Sequence, residues 1–101
     1  MTDNRNMIDV LIAIMRDRRA SSRSVEIGAE VIASYARLDQ RVSEGKRQHR
    51  VGEHVLEILD LVDRILEDCK LIAREFDRGM TEHDLRDQLA QIKERLDKIV
   101  L

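Results

Sequence analysis

At 101 residues the chain has room for one domain (residues 1 to 101) with one modest core. Proline is absent, only 4 residues are glycine, 38% are charged and 43% hydrophobic, a composition of helices rather than of sheets or disorder. Aromatics amount to 2%, Tyr35 and Phe76, which excludes a base-stacking platform or a Trp/Tyr-rich binding surface within one chain, and a lone Cys69 excludes an intrachain disulfide or a cysteine-based zinc site.

The net charge of -2 hides an asymmetry: residues 1 to 50 carry ten Lys/Arg against seven Asp/Glu, and residues 51 to 101 eight against thirteen. The longest apolar run, Val10 to Met15, is far short of the ~20 residues that cross a bilayer, and no cleavable signal pattern follows it. The expectation is a cytoplasmic protein without a membrane partner.

In chain order, a first helix is predicted over about residues 5 to 20, with Met7, Ile8, Leu11, Ile14 and Met15 on one side. Ala20-Ser21-Ser22-Arg23-Ser24 can break it, since serines cap helices, but serines also occur inside them, so one bent helix over 5 to 44 stays open. The second helix, about 24 to 44, shows a broad apolar face of Val25, Ile27, Ala29, Val31, Ile32, Tyr35, Leu38 and Val42, ending before Gly45. Folding back around residues 45 to 50 would set Val42 near Val51, Leu38 near Val55 and Tyr35 near Ile58 on the third helix.

That third helix, about 49 to 77, is the longest, and its seam of Val55, Ile58, Val62, Ile65, Cys69, Ile72 and Phe76 has coiled-coil heptad spacing. Gly79 can take the left-handed conformation that ends it. Thr81 can cap the fourth helix, about 82 to 100, with Asp84 three residues on and a staple from Met80 to Leu85. The fourth seam, Leu85, Leu89, Ile92, Leu96 and Ile99, then pairs antiparallel with the third, placing Asp68 near Arg95. A second row on the third helix, Leu59, Leu66 and Ala73, calls for cover from elsewhere. The predicted fold is an all-α, antiparallel four-helix bundle, up-down-up-down, in which a homodimer shares helix faces. The interaction surface is expected at Leu59, Leu66, Ala73, Met7, Leu11 and Ile14.

Chemistry-bearing residues are sparse. His54 and Glu57 reverse the Glu-x-x-His spacing of di-iron bundles, no glycine-rich phosphate loop occurs, and Cys69 sits on the seam as a small core residue. The basic residues fall into two groups, Arg16, Arg18, Arg19 and Arg23, then Arg37, Arg41, Lys46, Arg47, His49 and Arg50, at opposite ends of an antiparallel pair, which weakens a nucleic-acid-binding reading.

Carboxylates line two helices, and such rows can hold Mg²⁺. Glu26-Ile27-Gly28-Ala29-Glu30, followed after 26 residues by Glu57-Ile58-Leu59-Asp60, resembles the ExxE…ExxD pattern of the MazG-type all-α nucleotide pyrophosphohydrolases. In that pattern the first two glutamates are three apart, whereas Glu26 and Glu30 are four apart. The resemblance implies nucleoside triphosphate hydrolysis with Mg²⁺ held by Glu26, Glu30, Glu57 and Asp60. The leading expectation is instead a non-enzymatic helical interaction protein without a cofactor, a regulator, inhibitor or adaptor that forms a homodimer and binds a protein partner. The Mg²⁺-dependent enzyme comes second and a nucleic-acid binder third.

Overall fold

The computed structural model describes residues 6–47 and 52–99. Four helices follow one another, α1 (Met7–Met15), α2 (Ser22–Arg47), α3 (Glu53–Asp77) and α4 (Glu82–Asp97), with no strand among the described residues. They form the all-α four-helix bundle expected from the heptad seams. The expected helical residues 5, 49 to 51 and 100, and with them Val51, lie outside the described residues.

α1 starts on a side-chain cap, the Asp9 N–H donating to Asn6 Oδ1 at 2.9 Å. It stops at Met15, five residues short of its predicted end, because Asp17 offers the backbone another partner: the Arg19 N–H donates to Asp17 Oδ1 at 2.9 Å. The Arg19 guanidinium also grips Asp17 at 2.8 Å, lies 4.4 Å from the Phe76 ring centroid and donates to the Phe76 carbonyl at 2.8 Å. One arginine thus ties the α1–α2 connection to the last turn of α3 by a cation–π contact and a carbonyl cap. The single bent helix is ruled out. Ser21 caps α2 by accepting the Ser24 N–H at 3.1 Å, so the serines act as a break. At its other end α2 continues through Gly45 to Arg47.

The α3–α4 turn follows its predicted chemistry. Gly79, at φ 118°, closes a Schellman motif in which Met80 N–H donates to Glu75 O at 2.9 Å and Gly79 N–H to Phe76 O at 3.2 Å. Thr81 Oγ1 accepts the Asp84 N–H at 3.1 Å, Leu85 is fully buried, and Met80 packs on the core beside it. Along the hairpin Phe76, Ile72, Cys69 and Ile65, and Leu85, Leu89, Ile92 and Leu96, are buried in one core, and Arg95 meets Asp68 at 2.6 Å as the register requires.

The neighbour order differs from the sequence reading. α2 packs along α4 rather than returning along α3, so the bundle closes in the order α1, α2, α4, α3. α2 and α4 run parallel: Ser21 and Ser24 near the start of α2 donate to the Glu82 carboxylate, and ten residues on Ser34 donates to Asp97 at 2.8 Å. Small buried serines allow this close approach where a row of large apolar side chains would not, and Ile27, Val31, Leu38 and Val42 fill the rest of the face. α2 meets α3 only loosely, Tyr35 coming within electrostatic range of Asp63. Between α1 and α2 the approach is equally tight: a Cβ on Gly28 would lie 2.9 Å from Met15 Cγ and Sδ. The result is a slab of 44 × 31 × 17 Å, about two helices thick, with a radius of gyration of 14.2 Å against about 13 Å for a rounder chain of this length.

Candidate functional site

Helix lengths decide what is left open. α3, with 25 residues, is about 37 Å long, while α4, with 16, is about 24 Å. Since Arg95 pairs with Asp68, α4 runs out beside the middle of α3, and among the described residues the N-terminal part of that helix has no cover on this side. There Ile58, Leu61 and Ile65 from α3 and Ile99 after α4 line a groove of about 400 Å³, with Glu57 at one end and Arg95 and Lys98 along the other. Leu61 is 43% exposed, in contrast to Ile58 and Ile65, which are buried at the floor. Leu56 and Leu71 are also exposed, but at 100° per residue they point to other sides of α3. Glu57 forms no ion pair among the described residues, while Lys98 pairs with Glu94 at 3.2 Å on the surface.

The residues expected to face a partner are distributed otherwise. Met7, Leu11 and Ile14 are buried in the chain's own core, where α1 lies against α2 and α3, so they are not presented to a second chain. Leu59, Leu66 and Ala73 are half-buried against the same core, with α1 covering the C-terminal part of their row. The open apolar surface is instead on the opposite flank of α3, at Leu61. Its signal was available in the sequence as a leucine outside both apolar rows, but it becomes a groove only once α4 ends short.

The four carboxylates expected to share Mg²⁺ do not form one site in this chain. Glu26 and Glu30 are exposed on the first turns of α2, Glu26 pairing with Arg23 at 3.0 Å, at the end where α2 meets the start of α4. Glu57 lies 20 residues before the end of α3, about 30 Å along the axis from that end. Asp60 is exposed and pairs with Arg64 at 2.8 Å. Of the four, Glu57 alone lines the α3–α4 groove, and among the described residues no three His, Cys, Asp or Glu side chains gather as a metal site.

The other polar clusters hold helices together. Hydrogen bonds from Ser21 and then Ser24 keep the Glu82 carboxyl below its ordinary range, and the bond from Lys93, seconded by Ser34, does the same for Asp97. Burial pushes the Cys69 thiol up to about 12, so at neutral pH it is a protonated, enclosed group and not a nucleophile. Arg19 and Arg23 are engaged with Asp17 and Glu26, and the side chains of Lys46, Arg47, His49, Arg50 and His54 lie outside the described residues. No helix among the described residues is long and apolar enough to cross a membrane. No protein-family model, curated protein or solved structure matches the chain.

Proposed function

We propose that the chain is a non-enzymatic helical interaction protein of the cytoplasm, a regulator, inhibitor or adaptor, that works by offering the uncovered part of α3 to a protein partner. The observation that carries this reading is the α3–α4 groove, where the half-exposed Leu61 stands over a floor of buried isoleucines and between charged ends. An apolar centre with a charged rim is the make-up of a protein-binding surface. The separation of Glu26 and Glu30 from Glu57 and Asp60 weighs against the nucleotide-hydrolysing alternative in the single chain.

A direct test is incubation with a panel of nucleoside triphosphates and Mg²⁺, assayed for pyrophosphate, alongside a Glu57→Ala variant. The interaction reading expects no turnover. Pyrophosphate release that is lost on Glu57→Ala would overturn it in favour of the enzyme.

A further inference from the structure

We infer that the occupant of the α3–α4 groove is the same groove of a second copy, the two α3 helices lying antiparallel across a two-fold axis beside Leu61. This rests on the interaction reading above and names its partner. A two-fold interface must be self-complementary, because each surface meets its own reverse. The groove has that property. An acid stands at one end, Glu57, and the cations Arg95 and Lys98 stand towards the other.

Arg95 marks the level of Asp68 on α3, through their 2.6 Å contact. Lys98, three residues further along the antiparallel chain, then stands level with about Ile65. From Glu57 to Ile65 is about 12 Å of helix, and its midpoint falls at Leu61. Reversing the groove about that point carries Glu57 onto the Lys98 of the other copy, and the reverse pair forms at the other end, while Arg95 keeps its Asp68 partner. Leu61, 43% exposed in the single chain, is then closed over by its own counterpart at the centre. Glu57, without an ion pair among the described residues, gains one. Leu56 and Leu71 stay outside the contact, on other sides of α3. So short a contact lies at the small end of specific interfaces, among weak and transient encounters, and the expected dissociation constant is on the order of tens of micromolar.

The test is a charge exchange. Glu57→Lys and Lys98→Glu each place like charges opposite one another at both ends of the self-pair, whereas an equimolar mixture restores opposite charges at both ends. Sedimentation of the wild type up to about 500 μM should show a dimer. Each variant alone should dimerise about tenfold more weakly or worse, and the mixture should recover wild-type affinity. Circular dichroism on each variant confirms that it is folded, and Leu61→Ala, which removes the central contact without touching charge, should weaken the dimer as well. A wild type that stays monomeric, a single variant that dimerises like wild type, or a mixture without recovery overturns the pairing. A monomer that also releases no pyrophosphate refutes self-pairing alone and leaves the broader interaction reading standing.

Discussion

Leu11→Ala tests whether α1 belongs to the core of its own chain. α1 has only nine residues, too few to hold as an isolated helix, so its attachment rests on four buried side chains, Met7, Val10, Leu11 and Ile14. Leu11 is fully enclosed. Truncating an enclosed leucine costs about 3 to 5 kcal/mol when the cavity persists, and about 2 when neighbours close in. Met7 lies in the same core and Met15 against Gly28, and their flexible side chains can fill part of the gap, so the expected loss is about 2 to 4 kcal/mol. For a domain of this size that is a large share of roughly 5 to 15 kcal/mol of total stability. Urea unfolding followed by circular dichroism at two protein concentrations measures it. The loss should be the same at both. A loss below about 1 kcal/mol, or one that shrinks as concentration rises, would mean that α1 is barely docked or is lodged on another chain, and would refute its placement.

Gly79→Ala should lower stability by about 1 to 2 kcal/mol in the same assay, because φ 118° is strained for any residue with a Cβ; an unchanged midpoint would contradict the Schellman geometry. Hydrogen bonds from the Arg19 side chain and backbone lower the Asp17 carboxyl to about 2. A depressed folded value means that its stabilisation is present above about pH 4, the ordinary aspartate value, and fades as pH falls towards 2. The stability gap between wild type and Asp17→Asn should therefore be full at pH 6 and close in acid, and a gap constant from pH 6 to 2 would refute the assignment. Cys69 should resist thiol reagents at neutral pH until the chain unfolds, and rapid labelling of the native protein would show that the seam is open there.

The part of the fold legible in the sequence is the part set by local chemistry and period. Gly79, Thr81 and the paired heptads specify the α3–α4 hairpin down to the Asp68–Arg95 contact. What escaped depends on polar residues acting at long range. Nothing local tells that Arg19 reaches Phe76, 57 residues away, or that Asp17 ends α1 at Met15. The apolar rows point α2 at α3 because they favour joining large faces, whereas Ser24 and Ser34 choose α4 through the carboxylates Glu82 and Asp97. The groove was hidden for a related reason: Leu61 becomes a site through the difference in length between α3 and α4, a property of two helices together. Glu57, a metal ligand only in what the MazG-type resemblance implies, stands at the rim of that groove.

Sedimentation velocity of the wild type beside Leu61→Asp, from about 5 to 500 μM, bears most directly on the proposed interaction surface, since a dissociation constant in the tens of micromolar falls inside that range. The predicted result is a mass rising from 11.8 kDa towards twice that value for the wild type and staying at 11.8 kDa for the folded variant. A wild type that remains at 11.8 kDa throughout, or a Leu61→Asp variant that still doubles, would contradict it.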